Sequence, residues 1–182
     1  MTGSPPRSPP GASSARAARR GSLRALRQAL QHSDAGTLAQ LRRTKPESPP
    51  LAFFRVSAGV LDDLLPFQAG ARERAESRWA ALLQLMAMAL GTQPDTGGLL
   101  GRVPLGEALA RADVAEQRVL RLLEARDDLL ADLARGIVGQ LVSKGQTFRL
   151  DELADLILDP DVHVAETARR RIARDFYRHQ SS

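Results

Sequence analysis

The chain contains no cysteine, which excludes disulfides, thiolate-bound zinc, iron–sulfur clusters and thiol nucleophiles together. It also lacks an apolar run of the roughly 20 residues that a membrane-spanning helix needs. The longest candidate, residues 80–90, is interrupted by Gln84. No apolar stretch of the kind found in secretion signals is present near the N-terminus. We therefore expect a soluble, cytoplasmic protein.

Aromatic residues are scarce, at 4% of the sequence, whereas hydrophobic residues make up 43%. The core must therefore be built from Leu, Ala and Val. Threonine, isoleucine and tyrosine, which favour strands, are rare, whereas Leu, Ala, Arg and Glu, which favour helices, recur throughout. A chain of 182 residues can form one domain or two small ones that share a core. We predict an all-α fold.

Acidic residues are absent from the first 33 residues, which contain six of the 26 cationic side chains. The other 149 residues carry 20 cations and 21 anions, so a basic surface on the folded part must arise from arrangement. The sequence pI near 10.8 suggests an anionic partner, although much of that signal comes from the leading segment. Residues 1–21 are rich in Pro, Gly, Ser, Ala and Arg, which predicts a disordered tail.

Turn signals divide the rest of the chain into about eight helices. The spacing predicts two packed helical bundles, at 22–91 and 104–182, joined by a glycine-rich loop at 92–103. Ser22 can open the first helix, and Asp113 with Glu116 resembles a capping box at the start of a later one. The last two helices are predicted at about 151–158 and 162–177. The predicted buried faces include Leu23, Leu26, Leu30, Trp79, Leu82, Leu83, Met86, Leu90, Leu129, Leu130, Leu133, Ile137 and Leu141.

Residues suited to catalysis do not form a recognisable set. His32, His163 and His179 have no metal-ligand spacing between them, and neither an HExxH nor a GxSxG motif occurs. The glycines of the 92–103 loop lack the lysine and the preceding strand of a phosphate-binding loop. Asp127 and Asp128 could suggest acid–base chemistry, but adjacent helical side chains diverge, and the pair fits the start of a helix better. We expect no enzymatic activity, no metal site and no cofactor.

The segment 34–45 predicts a short amphipathic helix that presents cations at its end. Leu38 and Leu41 share one face, and Asp34 can cap the start. Arg42 and Arg43 then lie at the exposed C-terminus of an anchored helix. Guanidinium groups held in this way suit phosphates or carboxylates. They are equally consistent with solvated cations that the helix dipole favours at this end.

Further arginines follow helical spacing in the second half of the chain. Arg118 and Arg121 are one turn apart, Arg126 lies partly on the same side, and Arg135 is expected on the exposed face of the next helix. Such residues could follow a nucleic-acid backbone without reading its sequence, although the scarcity of aromatic residues weakens a stacking mode. The final helix carries Arg169, Arg170, Arg171, Arg174 and Arg178. Alternatively these arginines pair locally, since Glu166 and Arg170 are four residues apart, as are Arg171 and Asp175.

Four short runs occur in an order that resembles one known family. They are AQLRR at 39–43, PLGEALA at 104–110, QRVLRLLEARDD at 117–128 and RLDELADLIL at 149–158. Their order and spacing resemble the CasB family, the small subunit of the type I-E CRISPR surveillance complex, Cascade. The resemblance covers roughly residues 22–178. The leading tail lies outside it, and Glu152 occupies a position where the family pattern leads us to expect tryptophan.

The resemblance implies a non-enzymatic helical subunit that is present in two copies along the inner face of the complex. Such a subunit contacts the Cascade backbone and large subunits, supports the hybrid of guide RNA and target DNA, and holds the displaced DNA strand. By position in the matching runs, the expected phosphate-binding residues are Arg43, Arg118 and Arg126. The further candidates are Arg42, Arg121, Arg135 and Arg78. Arg126 is offset by about one place from the basic position of the family.

Two other interpretations remain open at this stage. The chain could be a helical adaptor that binds proteins through its Leu and Ala faces, with arginines that only improve solubility. It could also be a dimeric DNA-binding regulator, although no convincing helix-turn-helix is present. Co-purification separates the Cascade subunit from the adaptor, because only the Cascade subunit would carry guide RNA.

Overall fold

The computed structural model describes residues 10–90, 102–158 and 161–180. Within these ranges the chain forms nine helices and no strand, and Lys45 and Ser48 make an isolated β-bridge. The helices are α1 (Pro10–Gln31), α2 (Ala35–Arg42), α3 (Leu51–Ser57), α4 (Ala69–Leu90), α5 (Leu105–Arg111), α6 (Glu116–Glu124), α7 (Asp127–Ser143), α8 (Leu150–Leu158) and α9 (Val162–Gln180). The predicted all-α fold is confirmed, with one helix more than the eight expected.

The first helix begins earlier than its sequence pattern suggested. It starts at Pro10, whereas the predicted cap was Ser22. Proline suits the first turn of a helix, and the alanines that follow favour its continuation. Residues 1–9 of the predicted tail, Gly91 and residues 92–101 of the predicted loop lie outside the described residues.

The buried faces follow the predicted spacing. Leu23, Leu26 and Leu30 of α1 are all buried, as are the α4 residues from Trp79 to Met86 that were assigned to the core. Leu90 and Leu133 are only partly buried, and Leu129 is 56% exposed in the first turn of α7, on the side away from the core. None of the helices in the described part of the chain is both long and apolar enough to cross a bilayer.

Helix α4 is the central element of the fold. It packs against α2, α7 and α8, and buried side chains from all nine helices join one apolar core. The packed helical bundles are therefore confirmed as an architecture, and they share this core. The division into bundles at 22–91 and 104–182 stays a prediction.

Helices α4 and α7 run in the same direction. Arg78 of α4 pairs with Asp127 at the start of α7, whereas Met88, ten residues later, lies beside Gly139. Asp127 and Gly139 are twelve residues apart, about 18 Å at the helical rise of 1.5 Å per residue. The start of α7 therefore lies beside Arg78 of α4, and its C-terminal part lies beside Met88.

Helix α5 lies directly on the backbone of α9. A Cβ atom at Gly106 would collide with the main chain of Ile172 and Phe176, so only glycine allows this approach. The buried carboxylate of Glu152 accepts a hydrogen bond from the Leu105 N–H at 2.7 Å, and burial raises its pKa. Glu152, which lies where tryptophan was expected, therefore supplies a hydrogen-bond acceptor for a main-chain N–H at the start of α5.

The predicted capping box of α6 is wrong. Ala115 occupies the N-cap position without a side-chain hydrogen bond. Asp113 instead has a positive φ of 52° and donates its N–H to the Ala110 carbonyl in the turn that ends α5. Aspartate tolerates this left-handed conformation better than most residues, which explains how the same residue serves a turn.

Candidate nucleic-acid interface

The C-terminal end of α2 is fixed to α4 by a buried glutamine. Asp34 caps the start of α2, as predicted, by accepting the Thr37 N–H at 2.8 Å. At the other end, the Gln84 side-chain amide donates to the carbonyls of Arg42 and Thr44 at 3.0 and 2.9 Å. These bonds satisfy carbonyl groups that a helix end otherwise leaves open. The arginines at this end are therefore carried on a rigid support.

Arg42 and Arg43 form no ion pair with a carboxylate in the described part of the chain. The Arg42 Nε donates to the Ala87 carbonyl near the end of α4 at 3.0 Å. The Arg43 side chain is exposed and has no hydrogen-bond or ion-pair partner in the described part of the chain. Neither guanidinium is paired with a carboxylate there, so both positive charges remain available to a ligand.

Arg118 is oriented in a similar way by α7. Its Nη1 donates to the Gln140 side-chain oxygen at 2.8 Å, and its Nη2 would lie 3.6 Å from a Cβ at Gly136. The guanidinium group thus extends over α7 at Gly136, where the helix carries no side chain. Arg121 is one turn along α6, exposed and, within the described ranges, without a partner.

A chain of contacts joins Arg42 and Arg118, which are distant in the sequence. Arg42 touches the Ala87 carbonyl, and the next residue, Met88, would lie 3.6 Å from a Cβ at Gly139. Gly139 precedes Gln140, which holds Arg118. Gly136 and Gly139 are one turn apart on α7, where Arg118 lies over the first and Met88 packs on the second. We call Arg42, Arg43, Arg118 and Arg121 the cationic end of α7.

Arg78 and Arg126 lie at the opposite end of α7. Arg78 pairs with Asp127 at 3.1 Å. The Arg126 Nη1 donates to the carbonyls of Leu123, Glu124 and Ala125, the last ones of α6, and its Nη2 bonds to Glu166 at 3.2 Å. Arg126 therefore closes the end of α6 and ties it to α9.

A second arginine reinforces that junction. Arg169 is buried, donates to the Leu123 carbonyl at 2.7 Å, and pairs with Glu166 at 3.1 Å. Burial lowers the pKa of Arg169, and the nearby charge of Arg126 acts in the same direction. Helix α6, the start of α7 and α9 are thus held together by two arginines that share one carboxylate. We call Arg78, Arg126 and Arg169 the ion-paired end of α7.

A cleft of about 430 Å³ opens beside the ion-paired end. Its floor is aliphatic, formed in part by Leu130, Leu156 and Ile157, and Arg74 and Arg78 lie at its wall. Arg74 was missed by sequence reasoning, because its own segment, ARERAESR, gives no reason to separate it from its charged neighbours.

Arg135 is exposed, as predicted, and belongs to neither end. It pairs with Asp132 one turn away on α7, at 3.6 Å. The seven predicted arginines are therefore divided: four at the cationic end, two at the ion-paired end and Arg135 between them. Gln140, Gly136 and Gly139, which shape the cationic end, were also missed. Their role depends on contacts that only folding creates.

The predicted four-residue ion pairs of α9 are wrong. Glu166 pairs with Arg169 rather than Arg170, and Asp175 lies 3.9 Å from Arg178. Both pairs span three residues. In the described residues no group of three side chains could hold a metal ion.

Comparisons with known proteins agree with the sequence resemblance. The family model of CRISPR-associated protein Cse2 matches residues 37–177. The crystal structure of CasB from Thermobifida fusca has a similar fold, with a TM-score of 0.66 at 21% identity over 90% of this chain and 97% of that one. No curated protein matches the chain.

Proposed function

The chain belongs to the Cse2 family of CRISPR-associated proteins, which are subunits of Cascade, and from this premise we propose that it binds nucleic-acid backbones there without catalysis. Its proposed role is to support the hybrid of guide RNA and target DNA and to hold the displaced DNA strand. The proposed neighbours are the backbone and large subunits of the complex and a second copy of the chain.

One observation carries the proposal: two arginines at the cationic end of α7, Arg42 and Arg118, are held by neutral acceptors. Arg42 bonds to a main-chain carbonyl and Arg118 to a side-chain amide. A neutral acceptor orients a guanidinium group but leaves its charge, so a phosphate can make the charge-assisted contact. Gly136 is exposed and carries no side chain, which gives a sugar–phosphate backbone room to approach beside Arg118.

Contacts of this kind suit the opening of a DNA duplex by a guide. Replacing a DNA duplex with an RNA–DNA hybrid is nearly balanced in free energy, so protein contacts to the backbones can tip the exchange. Backbone contacts also carry no sequence information, as a subunit that serves every guide requires. The scarcity of aromatic side chains favours charge over base stacking.

The proposal is tested with Arg43→Gln, Arg118→Gln and Arg121→Gln combined in the full-length chain. We expect weaker binding to single-stranded DNA, and a plot of log affinity against log salt that is shallower by about 0.7 per lost contact, roughly two units in all. A matched control carries Arg55→Gln, Arg72→Gln and Arg111→Gln, which remove the same charge from other surfaces. Circular dichroism should show both variants folded.

Equal binding and equal salt slopes for the two triple variants would remove the cationic end of α7 from the proposal. In reconstituted Cascade, the same cationic-end variant should lower the yield of opened target DNA. The control should behave as the unmodified chain does.

A protein-binding adaptor is the second candidate, and one observation favours it. Leu51 and Phe54 lie one turn apart on α3 and are 80% and 45% exposed. Exposed apolar residues of this kind can mark contacts with other proteins. Purification of the complex separates the candidates: protein partners without guide RNA would support the adaptor alone.

A further inference from the structure

The solvent face of α9 is rich in arginine. Ala165, Ala168, Ile172 and Phe176 are buried and define the side that packs on the core. With 3.6 residues per turn, Glu166 and Asp175 lie on the two flanks of α9, and the side opposite the core is dominated by four arginines. These residues, all exposed, are Arg170, Arg171, Arg174 and Arg178. We call them the α9 arginine face.

The carboxylates of α9 do not neutralise this face. Glu166 points towards α6, where it is shared by Arg126 and Arg169. Asp175 lies on the other flank and approaches Arg178 only at 3.9 Å. Arg170, Arg171 and Arg174 make no hydrogen bond or close ion pair in the described ranges, and Arg171 interacts at longer range with the buried Glu152. At least three full positive charges therefore project from neighbouring turns of one long helix.

The α9 arginine face is separate from the cationic end of α7. Helix α6 lies between them, and its two flanks differ. Arg118 lies on the flank that faces α7, whereas Glu116 lies on the flank that faces α9 and accepts the Tyr177 hydroxyl at 2.6 Å. The two arginine groups thus do not form one continuous surface, because a carboxylate contact interrupts them.

We propose that the α9 arginine face is a second binding surface for the phosphate backbone of nucleic acid, separate from the cationic end of α7. Its composition favours nucleic acid over protein, because protein interfaces have an apolar core with few charges. Interfaces with nucleic acid are more polar and far more positive. Side chains one helical turn apart have Cβ atoms about 5–6 Å apart, so successive arginines can contact neighbouring phosphates.

The proposal goes beyond the function proposed above, because it uses none of the arginines assigned there. Two separated surfaces would let one subunit contact two strands, or two parts of one strand, at the same time. A single surface would allow only one such contact, and removal of that surface would abolish binding.

The test uses the full-length chain and oligothymidine of about 20 nucleotides, longer than the sites of many single-strand-binding folds. One variant combines Arg170→Gln, Arg171→Gln and Arg174→Gln, and a second combines the three substitutions of the cationic end. The charge control is the Arg55, Arg72 and Arg111 triple variant. We expect the α9 variant to lower the salt slope by about 2 units relative to that control, at about 0.7 for each contact to a single strand.

Combining the α9 and cationic-end substitutions distinguishes this proposal from the preceding one. If both surfaces bind, the reductions in binding free energy add, since distant sites act independently. An α9 variant that matches the charge control in affinity and slope would overturn the second surface, whatever the cationic-end variant does. A loss confined to the α9 variant would support this surface and contradict the one proposed first.

Discussion

The two ends of α7 use the same side chain in opposite ways. At the cationic end, Arg42 and Arg118 are held by a carbonyl and an amide oxygen, both neutral. At the ion-paired end, Arg78 is held by Asp127, and Arg126 and Arg169 share Glu166. A carboxylate both orients and neutralises a guanidinium group, whereas a neutral acceptor only orients it. The difference indicates which arginines can serve a ligand and which serve the fold.

Exposure alone would not reveal this difference. The Arg126 side chain is 55% exposed, yet it donates to four acceptors: the carbonyls of Leu123, Glu124 and Ala125 and the carboxylate of Glu166. Those acceptors include the last carbonyls of α6, where the helix dipole favours a cation. Arg126 was among the predicted phosphate ligands, and that assignment stays a prediction. A phosphate there would have to compete with Glu166.

The largest expected effect comes from breaking the ion-paired end. Arg169→Met keeps the length of the side chain but leaves the Leu123 carbonyl and Glu166 without this donor. We expect a loss of about 2–4 kcal/mol in the free energy of unfolding, measured by urea denaturation. The matched control is Arg174→Met on the exposed side of the same helix, with a change of at most about 0.5 kcal/mol. Equal losses in the two variants would contradict the structural role of Arg169.

A smaller effect is expected when an arginine of the cationic end is given a carboxylate partner, as the arginines of the ion-paired end have. Gln140→Glu replaces the neutral acceptor of Arg118 with a carboxylate. We expect weaker binding to single-stranded DNA and a salt slope smaller by about 0.7, as if one phosphate contact were lost. Stability should change little, because the pair is exposed.

Gln140→Met is the control for that prediction. It removes the acceptor but leaves the charge of Arg118 intact, so the salt slope should stay near that of the unmodified chain. If Gln140→Glu binds DNA with unchanged affinity and slope, then Arg118 does not contact phosphate, and the contrast between the two ends has no bearing on binding.

The smallest expected effect concerns the two glycines of α7 near Arg118. Gly136→Ala and Gly139→Ala each place a methyl group at ordinary contact distance, 3.6 Å from the nearest side chain. Alanine favours helix, so we expect stability to rise by about 0.5–1 kcal/mol for each change, measured by thermal or urea unfolding. Affinity for DNA should nevertheless fall if a backbone approaches this surface. Higher stability with unchanged affinity would show that the glycines do not serve binding.

Local signals predicted the helices and most buried faces well. The repeats of three and four residues placed Leu26 and Leu82 in the core, and Asp34 caps α2 as its position suggested. The capping box at Asp113 and the four-residue pairs of α9 were wrong. Both patterns are compatible with more than one partner, and the neighbouring helices decided which partner each residue took.

The sequence by itself determined that this protein is helical, which faces its helices bury and, through the order of its short motifs, the Cse2 family to which it belongs. Helical spacing is a local property, so adjacent residues suffice to reveal it. Only the tertiary structure decided which arginines pair with a carboxylate and which are held by neutral acceptors. The decisive partners lie 45 residues apart for Arg42 and Ala87, 22 for Arg118 and Gln140, and 40 for Arg126 and Glu166. Contacts over such separations exist only once the chain has folded, because no local rule brings these groups together.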